Sequence, residues 1–358
     1  MRKYYTRPCN FYYGNYTKEL VNKRKALHLA GNPKIAFDSI EIFERKKRKT
    51  VKSQLYKISE IKSLNKEKRK IIEIDLKNIT SKRKNISGLK FDKPQIMGVL
   101  NVTPDSFSDG GKFYNKRKAY NQAKWMIKNG ASIIDVGGES TRPGSKIVNE
   151  KDEWNRIRKV ISQLKKNYSN TTLSLDTRKS YVMKNGIEAG INIINDVSGL
   201  NFDRKSFNII NSSKIPFVLH HMQGTPQTMQ INPKYDDVLL DIFDFFEEKI
   251  NFCLKKNYKK DLILIDPGIG FGKNLKHNLR IMSKISIFHS LGCCILIGTS
   301  KKRFIEHIVT KLDTADRIGG TLSSVLYGLS QGVQLFRVHN VKEINQGILV
   351  FNKILYTN

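Results

Sequence analysis

Eight short apolar runs in this chain each end in a residue that could bind or react. They are Gln95–Val102 ending at Asn101, Ser132–Gly138 around Asp135, Thr172–Thr177 at Asp176, and Ile191–Val197 at Asn195 and Asp196. The other four are Pro216–His221, Leu262–Gly268 with Asp266, Cys293–Thr299 leading into Ser300, and Val333–His339 with Arg337. Carboxylates and amides accept hydrogen bonds, while guanidinium and imidazole groups donate them to anions. If these eight endings converge, they make a polar binding site.

Short Ile-, Val- and Leu-rich runs without alternation read as strands buried on both faces, as in a parallel sheet. Between them, Lys116–Asn129, Glu150–Lys166, Asp236–Leu254, Leu275–Ser290 and Ala315–Ser330 space their apolar residues as helices do. Eight strand–helix units over about 250 residues fit an α/β fold of the (β/α)8, or TIM, barrel type. A doubly wound open sheet is the second reading, because sequence does not show whether the last strand closes on the first. In both architectures ligands bind at the carboxyl ends of the strands, where the polar residues lie.

The chain has 358 residues, enough for the barrel over 94–358 and a small accessory domain over 1–93. Tyr4, Tyr5, Phe11, Tyr12, Tyr13 and Tyr16 crowd the front segment, and Ile35–Phe43 and Ile71–Ile74 look β-like. Ser81–Lys93 reads as the linker. The four cysteines, Cys9, Cys253, Cys293 and Cys294, lack metal-binding spacing and read as reduced thiols of a cytoplasmic protein. The first twenty residues lack a signal peptide's apolar centre, and no apolar run approaches the ~18 residues of a membrane span.

The formal charge is +32. Residues 1–94 hold 26 Lys and Arg against 9 Asp and Glu, and the remainder 38 against 23, so the excess is densest in front. Arg45–Lys49, Lys66–Lys70 and Lys82–Lys84 could hold phosphates. No RNP, helix-turn-helix or zinc-finger pattern accompanies them, so a general pull on anionic substrates is expected rather than nucleic-acid binding.

The first strand is followed by a long loop rich in Gly, Ser and Asp, Asn101-Val-Thr-Pro-Asp-Ser-Phe-Ser-Asp-Gly-Gly111, which suggests an active-site cover. The string resembles the first signature of the dihydropteroate synthases, the folate-pathway enzymes that join a pterin diphosphate to 4-aminobenzoate. Further matches follow in family order. They are Ile134-Asp-Val-Gly-Gly-Glu-Ser-Thr-Arg-Pro-Gly144, Asp176-Thr-Arg178, Ile194-Asn-Asp-Val-Ser-Gly199, His221-Met-Gln-Gly-Thr-Pro226, Asp266-Pro-Gly-Ile-Gly-Phe-Gly-Lys273, Ser300-Lys-Lys302 and Arg337-Val-His339. Each falls at a different expected strand end.

The resemblance implies a transferase passing through a cationic, SN1-like pterin methylene, and it implies three groups of residues. Asn101, Thr141, Arg142, Arg337 and His339 would hold the departing diphosphate, with the Asn101 oxygen as the protein ligand of Mg²⁺. Asp176, Asn195, Asp266, Lys302 and Arg337 would read the pterin, with Met222 packed against it. Phe107, Thr141, Pro143 and Ser300 would place 4-aminobenzoate. Of these, Asp176, Asp266, Lys302, Arg337 and His339 would be catalytic. Loops 103–113 and 139–148 would close over the site, excluding water from the cation, and are expected to be poorly ordered without ligands. Arg337→Ala is expected to abolish diphosphate binding while leaving the fold intact. The resemblance also implies a homodimer formed through the later barrel helices.

Two departures stand out. Where the family commonly has Arg-Lys-Ser after Ser300, this chain has Lys301-Lys302-Arg303, which adds a charge at Arg303; and Asn340 follows His339 where Asp is common. Corrinoid-linked methyltransferases share the pterin-binding barrel but need no diphosphate pocket, so Thr141-Arg142-Pro143 and Arg337–His339 argue against them. An inactive homologue serving as a binding scaffold would have lost site residues, and none is lost.

Overall fold

A computed structural model describes residues 2–47, 50–103, 112–140, 145, 147–309, 313 and 316–357. The front segment forms an antiparallel sheet of β1 (Tyr4–Tyr13), β2 (Leu27–Leu29), β3 (Asn32–Lys47) and β4 (Thr50–Lys57). β1 pairs along one edge of β3, and β2 and β4 share the other. Ile35–Phe43 lies in β3 as expected. Ile71–Ile74 does not form a strand: it belongs to a helix, Lys66–Thr80. The β-branched cluster suggested extension, but the Asn65 side chain caps the helix by accepting the Lys68 N–H at 2.9 Å. Ile72, Asp75 and Ile79, three and four residues apart, are the face it buries.

This sheet is pinned to the outside of the barrel by partly buried polar contacts. Arg2 bridges Asp75 and Glu247. Tyr5 donates to Asp244 at 2.8 Å, Arg45 meets Asp241 at 3.0 Å, and Lys284 meets Glu41 at 2.9 Å. Arg83 donates to the Asn78, Ser81 and His289 carbonyls. Two of the basic runs therefore hold structural arginines, Arg45 and Arg83, which accounts for part of the charge without a phosphate ligand.

The eight predicted runs form β5 (Gln95–Asn101), β6 (Ile133–Gly137), β7 (Thr172–Asp176), β8 (Ile193–Asp196), β9 (Phe217–His220), β10 (Ile263–Asp266), β11 (Cys294–Ile297) and β12 (Leu335–Val338). They form a closed parallel barrel, β12 pairing β5 with Leu335 opposite Gln95, so the open-sheet reading is excluded. Helices Lys112–Lys128, Glu150–Asn167, Val238–Lys255 and Ile318–Ser330 lie close to their expected ranges. The expected helix Leu275–Ser290 breaks at Lys284 into Leu275–Ser283 and a 3-10 turn, Ile285–Leu291.

Because side chains alternate along a strand, every second residue points into the barrel. The inward side chains in the lower part of the barrel are apolar: Met97, Ile133, Ile193, Val218, Leu264, Cys294, Leu296 and Leu335 form one buried cluster. Two residues higher on the same strands stand Asp135, Asn195, His220, Asp266 and Arg337.

Below the apolar layer, Ile86, Leu89 and Phe91 join the same buried cluster. Ile86 and Leu89 form a tight bridge, and the Ser87 carbonyl accepts the Thr172 hydroxyl at 2.9 Å. The segment Ser81–Lys93, read as a linker, is thus the floor of the barrel. Phe91→Ala should lower stability by about 3–5 kcal/mol, the usual cost of emptying a buried aromatic site. Urea unfolding would register this as a lower midpoint, and an unchanged midpoint would contradict the floor's role.

Candidate active site

Above the apolar layer opens a cavity of about 800 Å³ at the carboxyl ends of the strands. Asn101, Asp176, Asn195, Asp266, Ser300, Lys302, Arg337 and His339 all line it. Met222 does not; Met229, returning from the loop after β9, takes a place in the wall. Phe107, Thr141, Arg142 and Pro143 lie outside the described residues, as do 104–111, 141–144 and 146 of the two covering loops.

Arg337 organises the floor of this cavity. Its Nε donates to Asp135 Oδ2 at 2.7 Å and a terminal nitrogen to Asp176 Oδ2 at 2.7 Å. Asn195 Nδ2 also donates to Asp135 Oδ2, at 3.0 Å. Burial alone would disfavour the Arg337 charge, but Asp135 and Asp176 outweigh it and raise the pKa. Asp176 responds in the opposite sense: burial raises its pKa, and Arg337 only partly offsets that.

Asp135 is wholly buried; the sequence marks it as the polar residue of its run but assigns it no role in the site. A charge on the inward side of Ile-Ile-Asp-Val-Gly was the available signal.

Asp266 accepts the Gly268 N–H at 2.8 Å, and burial pushes its pKa up to about 6. Lys302 is pushed down to about 8 by burial and the nearby Arg337 charge. Its Nζ stands 4.0 Å from the centre of the Phe271 ring, a cation–π contact. Phe271 is held edge-on by His220, with ring centres 4.6 Å apart.

Local backbone sets this arrangement. In Gly268-Ile-Gly-Phe-Gly272, Gly268 adopts φ +68°, and a Cβ there would lie 2.0 Å from the His221 carbonyl oxygen. Phe271, also absent from the sequence-based assignments, lines the cavity as a result. Lys273 is buried beneath it, donating to the Phe271 carbonyl at 2.8 Å and lying 2.9 Å from His221 Nδ1. At the rim, Ser300 Oγ accepts the His339 N–H at 3.2 Å and lies 3.0 Å from His339 Nδ1.

A second polar network anchors the stem of the β6 loop. Glu139 pairs with Arg178 at 3.1 Å and Lys179 at 3.0 Å, and accepts the Val148 N–H at 2.8 Å. Lys179 also meets Glu153, which accepts the Thr177 hydroxyl at 2.6 Å. Both ends of that loop are thereby fixed to the segment that follows β7.

The sequence profile described as pterin binding enzyme matches residues 97–339. Dihydropteroate synthase of Escherichia coli is 38% identical over 269 residues, 75% of this chain and 94% of that protein. The chain belongs to the dihydropteroate synthase family. The Yersinia pestis dihydropteroate synthase, solved with a sulfonamide drug, superposes with a TM-score of 0.71 at 37% identity, covering 75% of this chain and 97% of the other. The Xanthomonas albilineans dihydropteroate synthase, solved with 4-aminobenzoic acid, gives 0.71 at 34% identity over 76% and 97%. The family match spans the barrel strands from Met97 to His339, and the antiparallel sheet lies before it.

Proposed function

We propose that the strand ends divide the dihydropteroate synthase reaction among three groups of residues. In that reaction (7,8-dihydropterin-6-yl)methyl diphosphate condenses with 4-aminobenzoate to give 7,8-dihydropteroate and diphosphate, a step of folate synthesis. The assignment rests on the meeting of Asp176, Asn195, Asp266 and Lys302 with Arg337 and His339 in one cavity. The first four offer the alternating acceptors and donors that match an amino-pyrimidinone edge. Ionised Asp176 and Asp266 stabilise positive charge on the pterin methylene as the C–O bond breaks.

Arg337 and His339, with Thr141 and Arg142, hold the diphosphate. Phe107, Thr141 and Pro143 are assigned to 4-aminobenzoate. Met222 is expected to pack against the pterin, and Met229, which lines the cavity, offers further apolar contact to it. The amine of 4-aminobenzoate is neutral near pH 7, so its attack needs no strong base.

Among the described residues, no three His, Cys, Asp or Glu side chains could cage a metal ion. The half-buried Asn101 carboxamide is one hard oxygen donor at the rim, which suits Mg²⁺ bound mainly by phosphate oxygens and water. When bound there, Mg²⁺ would neutralise charge on the leaving diphosphate. The proposed homodimer has a matching apolar surface: Tyr327 on helix Ile318–Ser330, with Leu349, Val350 and Ile354 on Val341–Tyr356, is exposed. A cytoplasmic location is supported by four buried free cysteines.

Purified protein supplied with both substrates and Mg²⁺ should release one diphosphate per dihydropteroate formed, and chelation should stop it. No metal-dependent release would overturn the reading.

A further inference from the structure

Three residues of β3, Glu41, Phe43 and Arg45, alternate along the strand and so share one face. That face meets two barrel helices. Glu41 pairs with Lys284 at 2.9 Å, at the end of helix Leu275–Ser283, and the Phe43 ring lies 5.8 Å from the guanidinium carbon of Arg280 on that helix. Arg45, which is buried, meets Asp241 at 3.0 Å and Asp244 at 3.6 Å, both in the first two turns of Val238–Lys255. Carboxylates three residues apart on a helix repel each other, and here the front segment supplies the charge that offsets them.

Both helices follow loops that wall the cavity. Asp241 is the link to the first. Its Oδ1 receives Arg45, while its Oδ2 accepts the N–H groups of Asp236 and Asp237 at 2.8 and 3.3 Å. Asp237 caps the helix by accepting the Leu239 and Leu240 N–H groups, and its other oxygen faces Arg280 at 3.8 Å. The loop that ends there, 221–237, is tied across to the glycine-rich loop after β10. Tyr235 donates to the Gly272 carbonyl at 2.8 Å, and Gln230 to the Gly270 carbonyl at 2.7 Å. Met229, Gln230 and Pro233 of one loop and Phe271 of the other line the cavity, and Phe271 carries the cation–π contact to Lys302. A continuous series of polar contacts therefore runs from the front sheet, which precedes the residues matched by the family profile, to the wall beside Lys302.

We infer that Arg45 is a positioning residue for the pterin site: through Asp241 it holds loop 221–237, and with it Phe271 and Lys302, in the geometry that binds the pterin diphosphate. The pterin part rests on the reaction assigned above, whereas the holding of the loop does not, and separate measurements read the two.

Deuterium uptake and steady-state kinetics are compared in the unaltered protein, Arg45→Ala, Arg45→Lys, Tyr235→Phe and the double variant Arg45→Ala with Tyr235→Phe. Arg45→Ala should speed uptake by the amides of 221–237 and leave β9 and β10 unchanged. It should raise the KM for the pterin diphosphate about three- to tenfold, within the range of couplings carried by a contiguous network, with kcat and the KM for 4-aminobenzoate unchanged. Arg45→Lys should recover part of both effects, because the charge is kept and the planar fork is lost. Tyr235→Phe cuts the tie to Gly272 with the sheet contacts intact, and should raise the same KM; in the double variant the two losses should not add. Unchanged uptake in 221–237 would overturn the proposal, as would an unchanged KM for the pterin diphosphate in either single variant. So would faster uptake shared equally by β9 and β10, or a fall in kcat alone, since either would make Arg45 a stabiliser of the fold only. If Arg45→Ala does not fold, Arg45→Lys carries the same comparison with smaller shifts. Faster uptake confined to the loop, in a protein that forms no dihydropteroate even when unaltered, would uphold the brace and reject the assigned reaction.

Discussion

Arg337→Ala should reduce kcat/KM by about 10²–10³-fold, the usual effect of removing one preorganised donor to a developing charge. It should also destabilise the ligand-free protein. The guanidinium is only 17% exposed and neutralises Asp135 and Asp176 at 2.7 Å each. Taking it away leaves two buried carboxylates facing each other, a disruption that costs about 3–5 kcal/mol where one partner of a buried pair is lost. The expectation from sequence, that the fold would be untouched, overlooked this second role. Arg337→Ala combined with Asp135→Asn should regain part of the stability, because one of the two carboxylates is gone, yet none of the activity. Kinetics and urea unfolding on the single and double variants separate the effects. If the single variant kept its full unfolding midpoint, Arg337 would be a ligand contact only.

The pH dependence of kcat/KM should be bell-shaped. On the acid side Asp266, raised to about 6 by burial, must lose its proton to support a cationic pterin, so activity rises as pH climbs through that value. Asp176 is raised in the same direction and adds to this limb. On the alkaline side Lys302, lowered to about 8, loses the proton it donates to the pterin, so activity falls above that value. Lys302→Gln should be slow throughout and lack the alkaline limb. An alkaline limb that survives in this variant would belong to another group.

Much of the barrel could be read in advance because its strands are buried on both faces, and so appear as short apolar runs with abrupt polar ends. Asn101, Asp176, Asn195, Asp266 and Arg337 were legible for that reason: each is the polar residue that breaks such a run. Asp135 was legible as the polar residue of its run, but only its inward parity, shared with Ile133 and Gly137, hints that it turns toward Arg337. Phe271 escaped because an aromatic among glycines looks like loop packing until the backbone bends it over the cavity. Met222 was expected at the site from the motif His221–Pro226, and nothing in that motif signals Met229, seven residues later, which lines the cavity. The front helix hid behind clustered isoleucines. The floor could not be recognised because Ile86, Leu89 and Phe91 find their partners only across the sequence, on strands as distant as Leu335.

That distance sets an order of events. The floor residues are made before any barrel strand, yet their partners include Leu335, whose strand also closes the barrel against Gln95. During synthesis the floor segment must therefore wait, with its apolar side chains unburied, until nearly the whole chain has emerged. Contacts of such long sequence separation slow folding and prolong the exposure of sticky surface. The antiparallel sheet ahead of it is made of local pairings and can form early, holding the waiting segment at one end. A chain begun at Gln95 would lack both that sheet and the floor, leaving the bottom of the barrel open to solvent.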